Sequence, residues 1–137
     1  MRYRNCFAAG AATILTVTIL FGMNQGFAQD RNFHIRIARL VIDPSKLTDY
    51  QAALKAEIDA SIKAEPGVRS LYAVYDKNEP SHVTVFEIYA NEAAYKSHIQ
   101  TTHFKKYKET VTDMVKSLEL VETIPIALGA KTNPLNL

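Results

Sequence analysis

The sequence predicts an α+β domain of the ferredoxin-like, split βαβ type: strand–helix–strand–strand–helix–strand, with one antiparallel sheet and its helices on one face. Three observations carry this. Short runs rich in Ile and Val alternate with longer stretches whose apolar residues recur every three or four positions. Asp43-Pro44-Ser45 and Glu65-Pro66-Gly67 punctuate the chain where the pattern switches, because Pro cannot donate to a ladder and disfavours helix in the residue before it. The strands are apolar on both parities, so both faces of the sheet need cover, and a second copy of the chain supplies the simplest one.

The first strand is His34–Ile42, HIRIARLVI, with Ile35, Ile37 and Val41 on one side and Ala38, Leu40 and Ile42 on the other. Lys46–Ala64 is an amphipathic helix with Leu47, Tyr50, Leu54, Ile58 and Ile62 as its apolar face, capped by Asp43 or Ser45. Val68–Asp76 and His82–Ala90 form a hairpin around a polar turn containing Pro80. Asn91 caps a short helix to Gln100; Thr101-Thr102 interrupts it; His103–Lys116 continues as a second helical piece. Leu118–Pro125 is the fourth strand, and an irregular tail follows.

Residues 1–28 read as a secretory signal: Arg2 and Arg4, an uncharged apolar run from Phe7 to Met23, and small residues at Gly26 and Ala28 before a cut preceding Gln29. The domain then spans 29–126 and the tail 127–137. Export points to the periplasm or the medium, with no membrane anchor left after cleavage. The chain has 16 Lys and Arg against 14 Asp and Glu. Two of the basic residues lie in the signal, so the remainder is neutral, which argues against nucleic acid as a partner. The one cysteine, Cys6, leaves with the signal, and with it any thiol nucleophile or thiolate metal ligand.

Glu87, His98 and His103 stand out as polar residues among apolar neighbours. Glu87 reads first as a structural carboxylate partnered by Arg39 or Arg69, since buried carboxylates persist only when paired. His98 suits a helix surface, a dimer interface or a pocket, and His103 a cap, the surface or a cavity border at the helix restart. His34 and His82, at strand starts, read as solvated. A metal is not expected: HExxH is absent, and five-residue spacing on an unbroken helix aims the two rings apart. Tyr72, Tyr75, Tyr89, Tyr95, Phe86 and Phe104 belong either to the core or to an aromatic pocket.

The run Phe86–Tyr107, FEIYANEAAYKSHIQTTHFKKY, resembles the antibiotic biosynthesis monooxygenase (ABM) family, whose small dimeric α+β-barrel members include quinol monooxygenases. Glu87, Tyr89, Glu92, Ala94, Tyr95, His98, His103 and Phe104 fit the family's pattern, as does the Glu65-Pro66-Gly67 turn. The resemblance covers about Phe33 to Ile126. It implies a homodimer that oxidises a quinol or phenolic aromatic with O₂ and needs no cofactor. In that reading His103 is the base or substrate-oxygen partner, His98 assists and Glu87 orients. Tyr89, Tyr95, Phe86 and Phe104 bind the substrate. A non-catalytic domain holding an apolar small molecule is the alternative. Haem degradation is less favoured, because the chain has no Trp, with His98 in the Trp region of haem-degrading relatives and Lys108 near their haem ligand.

Overall fold

The computed structural model describes residues 32–129; the expected signal, with Cys6, and the expected tail beyond residue 129 lie outside the described residues. The element order is β1 (His34–Ile42), a 3-10 turn (Pro44–Lys46), α1 (Leu47–Ala64), β2 (Val68–Tyr75), β3 (His82–Tyr89), α2 (Glu92–His98), α3 (Thr102–Val111) and β4 (Val115–Thr123). The sheet runs β2-β3-β1-β4 with every neighbouring pair antiparallel. Each crossover therefore skips one strand: α1 carries the chain over β3, and α2 with α3 carries it over β1. This is the ferredoxin-like α+β arrangement expected from the sequence.

Even-numbered residues of β1 and odd-numbered residues of β3 face the helices. Across the register Leu40 meets Val83, Ala38 meets Val85, and Arg36 meets Glu87. The first two pairs join Ile42, Tyr50, Leu54 and Val111 in the main core. A smaller cluster of Val68, Leu71 and Tyr89 packs under α2. The opposite face holds Ile37, Phe86, Ile88 and Val121 half-buried, with Tyr72 and Val74 exposed.

Three local features differ from expectation. Asp43 caps the 3-10 turn through Ser45 N (2.9 Å) and Ser45 Oγ (2.7 Å), and α1 itself starts without a side-chain cap. The last helix ends at Val111, not Lys116, because Val115 already pairs with Ile42 and the amide of Asp43 bonds the carbonyl of Met114 at 2.8 Å. β-branched Thr110, Val111 and Thr112 also weaken the helix at that end. The third concerns α1. Its buried face runs Tyr50, Leu54, Glu57, Ser61, and Ile62 is 51% exposed. The face turns polar because Ser61 Oγ donates to Glu57 Oε1 at 2.7 Å inside the seam against α2 and α3.

Gly67 sets the approach of α2 to the α1–β2 turn. A Cβ there would lie 2.6 Å from Cβ of Ala94, a distance real Cβ contacts do not show. Gly67→Ala is expected to cost about 1–3 kcal/mol of stability through overpacking. Denaturant unfolding checks this, and Gly67→Ala combined with Ala94→Gly should recover most of the loss. A double variant no more stable than Gly67→Ala alone would clear that contact of blame.

Candidate functional site

The helix break builds the polar centre. Asn91 Oδ1 accepts from Ala94 N at 2.8 Å and starts α2, which ends at His98. Thr101 then caps α3: its Oγ1 accepts from Phe104 N at 3.3 Å and donates to the carbonyl of His98 at 2.8 Å. The chain thus turns between the two histidines, and their ring centroids lie 6.4 Å apart. Both rings converge on Glu65, the extended residue that ends α1 before Pro66. Oε1 of Glu65 accepts from Nδ1 of His98 at 2.9 Å and from Nε2 of His103 at 2.6 Å.

An ionised carboxylate only accepts, so this arrangement selects the Nδ1–H form of neutral His98 and leaves its Nε2 with a lone pair. That Nε2 lies 3.7 Å from Glu57 Oε1, beyond hydrogen-bonding distance. Burial pushes the Glu65 carboxyl up, but the hydrogen bonds from His98 and His103 outweigh it and hold the group below the usual carboxylate range.

Beside this centre a cavity of about 100 Å³ lies between the sheet and the helices. Its floor is Arg36, Ala38, Leu40, Val85, Glu87 and Tyr89; Leu54, Glu57, Tyr95, His98, Phe104 and Tyr107 come from the helices. Lys108 and the exposed Leu118 and Leu120 complete the lining. The aromatic wall is continuous: His98 meets Phe104 edge-on at 4.7 Å and Tyr89 at 5.3 Å, and Tyr89 meets Tyr95 at 5.4 Å. The volume is of the order of the ~150 Å³ that accommodates one benzene ring.

Glu87 sits in this floor. Burial pushes its carboxyl up, only partly offset by the Tyr89 hydroxyl, which donates to Oε2 at 3.0 Å, and by the charge of Arg36. Burial, with Glu87 beside it, also raises the Tyr89 phenol far above its ordinary value. Burial does the same to Tyr107, whose hydroxyl lies 3.1 Å from that of Tyr50.

The site differs from the sequence expectation in several ways. His98, Glu87, Tyr89, Tyr95 and Phe104 come together around the cavity. Phe86 does not: strand alternation puts it on the opposite face, against Ile37 and Tyr72 in the register. His103 does not line the cavity either. It borders a second groove of about 350 Å³ between α1 and α3 with Ala53, Ala56, Ala60, Glu57, Lys106, Tyr107 and Thr110. Arg39 is not the partner of Glu87, since it pairs with Glu119 on the opposite face at 3.0 Å, and Arg69 lies exposed at a bulge. His34 is not solvated: it stacks on Tyr95 at 4.8 Å and its Nε2 is buried without a partner.

Glu57, Glu65 and Arg36 were missed as site residues. Arg36 shares parity with Ala38, Leu40 and Ile42, and Glu57 shares the helix face of Tyr50 and Leu54, so both were within reach of the pattern. Glu65 read only as part of the Glu65-Pro66-Gly67 stop and turn.

The expectation against metal-ligand geometry also needs correction. Glu57, His98 and His103 each offer a ligand atom, all within 4.8 Å of one another, because the break at Thr101 removes the divergence of an unbroken helix. Two imidazoles and a carboxylate suit zinc or another divalent first-row metal.

A family model described as antibiotic biosynthesis monooxygenase matches residues 33–110. Among solved structures, a provisionally named antibiotic biosynthesis monooxygenase from Bacteroides thetaiotaomicron is 55% identical, with TM-score 0.71 over 74% of this chain and 96% of that one. A provisionally named monooxygenase from Lactobacillus acidophilus is 29% identical, with TM-score 0.68 over 69% of this chain; the match spans 45% of that longer chain. A provisionally named antibiotic biosynthesis monooxygenase from Nitrosomonas europaea shares the fold at 19% identity, with TM-score 0.66 over 69% of this chain and 91% of that one. No curated protein matches the sequence.

Glu65 and Glu87, both half-buried, have opposite pH signatures. Glu65, lowered on folding, contributes stability present above the unfolded value of about 4.3 and lost as pH falls through the folded value. Glu87, raised on folding, contributes stability present below that unfolded value and lost as pH rises through the folded one. Urea unfolding from pH 3 to 8 should therefore show Glu65→Gln flattening the acid limb and Glu87→Gln gaining relative stability toward neutral pH. Parallel profiles for both variants and the parent would contradict these environments.

Proposed function

The chain belongs to the antibiotic biosynthesis monooxygenase family, and from that premise we propose that it oxygenates a small phenolic or quinol substrate with O₂ in the cavity beside His98. The observation that carries this reading is His98 itself. It is buried, oriented by Glu65 through Nδ1, and set in an aromatic wall with the other ring nitrogen free to take a proton. Nε2 of His98 removes a phenolic proton; Glu65 stabilises the imidazolium that forms. His103, bound to the same oxygen, keeps Glu65 ionised and in place.

A deprotonated quinol is a strong reductant and passes one electron to O₂. Recombination of the radical pair and loss of water then leave a hydroxyquinone. Overall, a quinol and O₂ give a hydroxyquinone and water, so the substrate supplies all the electrons. The aromatic lining keeps water from the anion. The roles of the two histidines are thereby exchanged relative to the sequence expectation: His98 is the base and His103 positions its partner.

Export and self-association belong to the same proposal. Cleavage after Ala28 places the domain in the periplasm or the medium, and N-terminal sequencing of the exported protein should begin at Gln29. The sheet face bearing Ile37, Phe86 and Tyr72 packs on its copy. Light scattering should give a dimer for the parent and a monomer for Phe86→Lys.

Oxygen uptake on a quinol panel, with no flavin or haem added and with EDTA in a parallel series, tests the activity. His98→Ala should lower turnover about 10²-fold or more, and His103→Gln should lower it less. Turnover abolished by EDTA would move the chemistry to a metal held by Glu57, His98 and His103. Tight aromatic binding with uptake equal to buffer would make this a binding domain.

A further inference from the structure

A charge stands unpaired in the cavity floor. Arg36 is 8% exposed and lines the cavity. Its guanidinium carbon lies 4.4 Å from the centroid of the Tyr95 ring. Its Nε is buried without a hydrogen-bond partner, and among the described residues Arg36 takes part in no ion pair. Its cross-strand neighbour Glu87 accepts the Tyr89 hydroxyl instead, and its other neighbour in the register, Glu122, lies on the exposed strand β4.

Guanidinium stays ionised at any ordinary pH, so burial cannot neutralise it. The charge of Glu87 acts on it only from beyond ion-pair distance, and a buried ion with no direct partner is costly and is tolerated where a ligand completes it. The lining fits an aromatic acid: Tyr95 lies beneath the cation, and Tyr89 and a second cation, Lys108, border the same cavity.

We infer that the ligand of this cavity is a small aromatic carrying an anionic oxygen group, a carboxylate or an ionised phenol, seated on Arg36. The inference rests on the cavity being an aromatic site. It adds what selects among aromatics: Arg36 takes the anionic group in a charge-assisted, two-pronged contact, and the ring lies against Tyr89 and Phe104. Neutral quinols leave Arg36 unpaired and bind more weakly.

The test is anaerobic calorimetry with three probes: hydroquinone as the neutral ring, 2,5-dihydroxybenzoate as the carboxylate, and 4-nitrocatechol at pH 8 as the phenolate. At least one anion should bind tenfold or more tightly than hydroquinone, and which one identifies the group. Arg36→Gln should erase that preference and Arg36→Lys should keep part of it. Raising salt should weaken the anion and leave hydroquinone unchanged in the parent protein, a readout that stands even if Arg36→Gln fails to fold. Equal or tighter binding of hydroquinone, an anion preference that survives in folded Arg36→Gln, or no binding by any probe would overturn the inference. Oxygen uptake is scored separately. Anion preference without uptake would retire the oxygenase reading and leave Arg36 as the anion site. Uptake on neutral quinols without anion preference would do the reverse.

Discussion

One carboxylate oxygen at the end of α1 joins the three helices. Glu65 Oε1 accepts from His98 at the end of α2 and from His103 in the first turn of α3. Both bonds are charge-assisted, the stronger class of protein hydrogen bond. Without that oxygen two ring N–H groups would be left in a largely dry seam, each with a desolvation cost to meet. The same bond decides which nitrogen of His98 carries a proton. A single contact therefore serves packing, helix placement and the chemical state of the cavity's one histidine.

The seam around it is built against stability. Apolar residues fill one end, where Tyr50, Ile42 and Val111 are almost fully enclosed. Toward the other end the buried side chains become Ser61, Glu57, His98 and Arg36. An interior optimised for folding would replace these with aliphatic groups of similar size, since buried ions rarely gain more from pairing than they lose in desolvation. Glu87 shows the cost directly, its carboxyl held toward the protonated form by burial. Such departures from core logic gather where a fold meets a ligand, and here Arg36, Glu57, Glu87 and His98 border one cavity, with Ser61 bonded to Glu57 behind it.

Much of this is legible in the sequence. Strand alternation in HVTVFEIY sets Val83, Val85 and Tyr89 on one face and Phe86 and Ile88 on the other, and the structure has them so. The same parity assigned Phe86 to the far face, yet the family resemblance drew it into the binding set; the alternation was the better guide. Arg36 and Glu57 stood on core-facing positions of strong periodic patterns and were passed over because their neighbours were apolar. Glu65 was different in kind. Its partners are 33 and 38 residues away, and nothing local distinguishes a site carboxylate from an ordinary residue before Pro. Pairings between elements arise from the tertiary fold, which periodicity does not encode.

The break at Thr101 shows how short the step can be between a correct local reading and a wrong spatial one. Five residues on a continuous helix rotate a side chain by about 140° from its reference at 3.6 residues per turn, so the two rings would diverge. The interruption at Thr101-Thr102 is visible in the sequence, but the direction of the restarted helix is set by tertiary packing and is not. Thr101 closes α2 by donating to the His98 carbonyl and opens α3 by accepting from Phe104 N. The helix axis is reset between the histidines, and residues that an unbroken helix would separate converge on one oxygen. The break thus acts as the device that assembles the site: it places His98 in the cavity wall and His103 in the outer groove, with Glu65 between them as their shared acceptor.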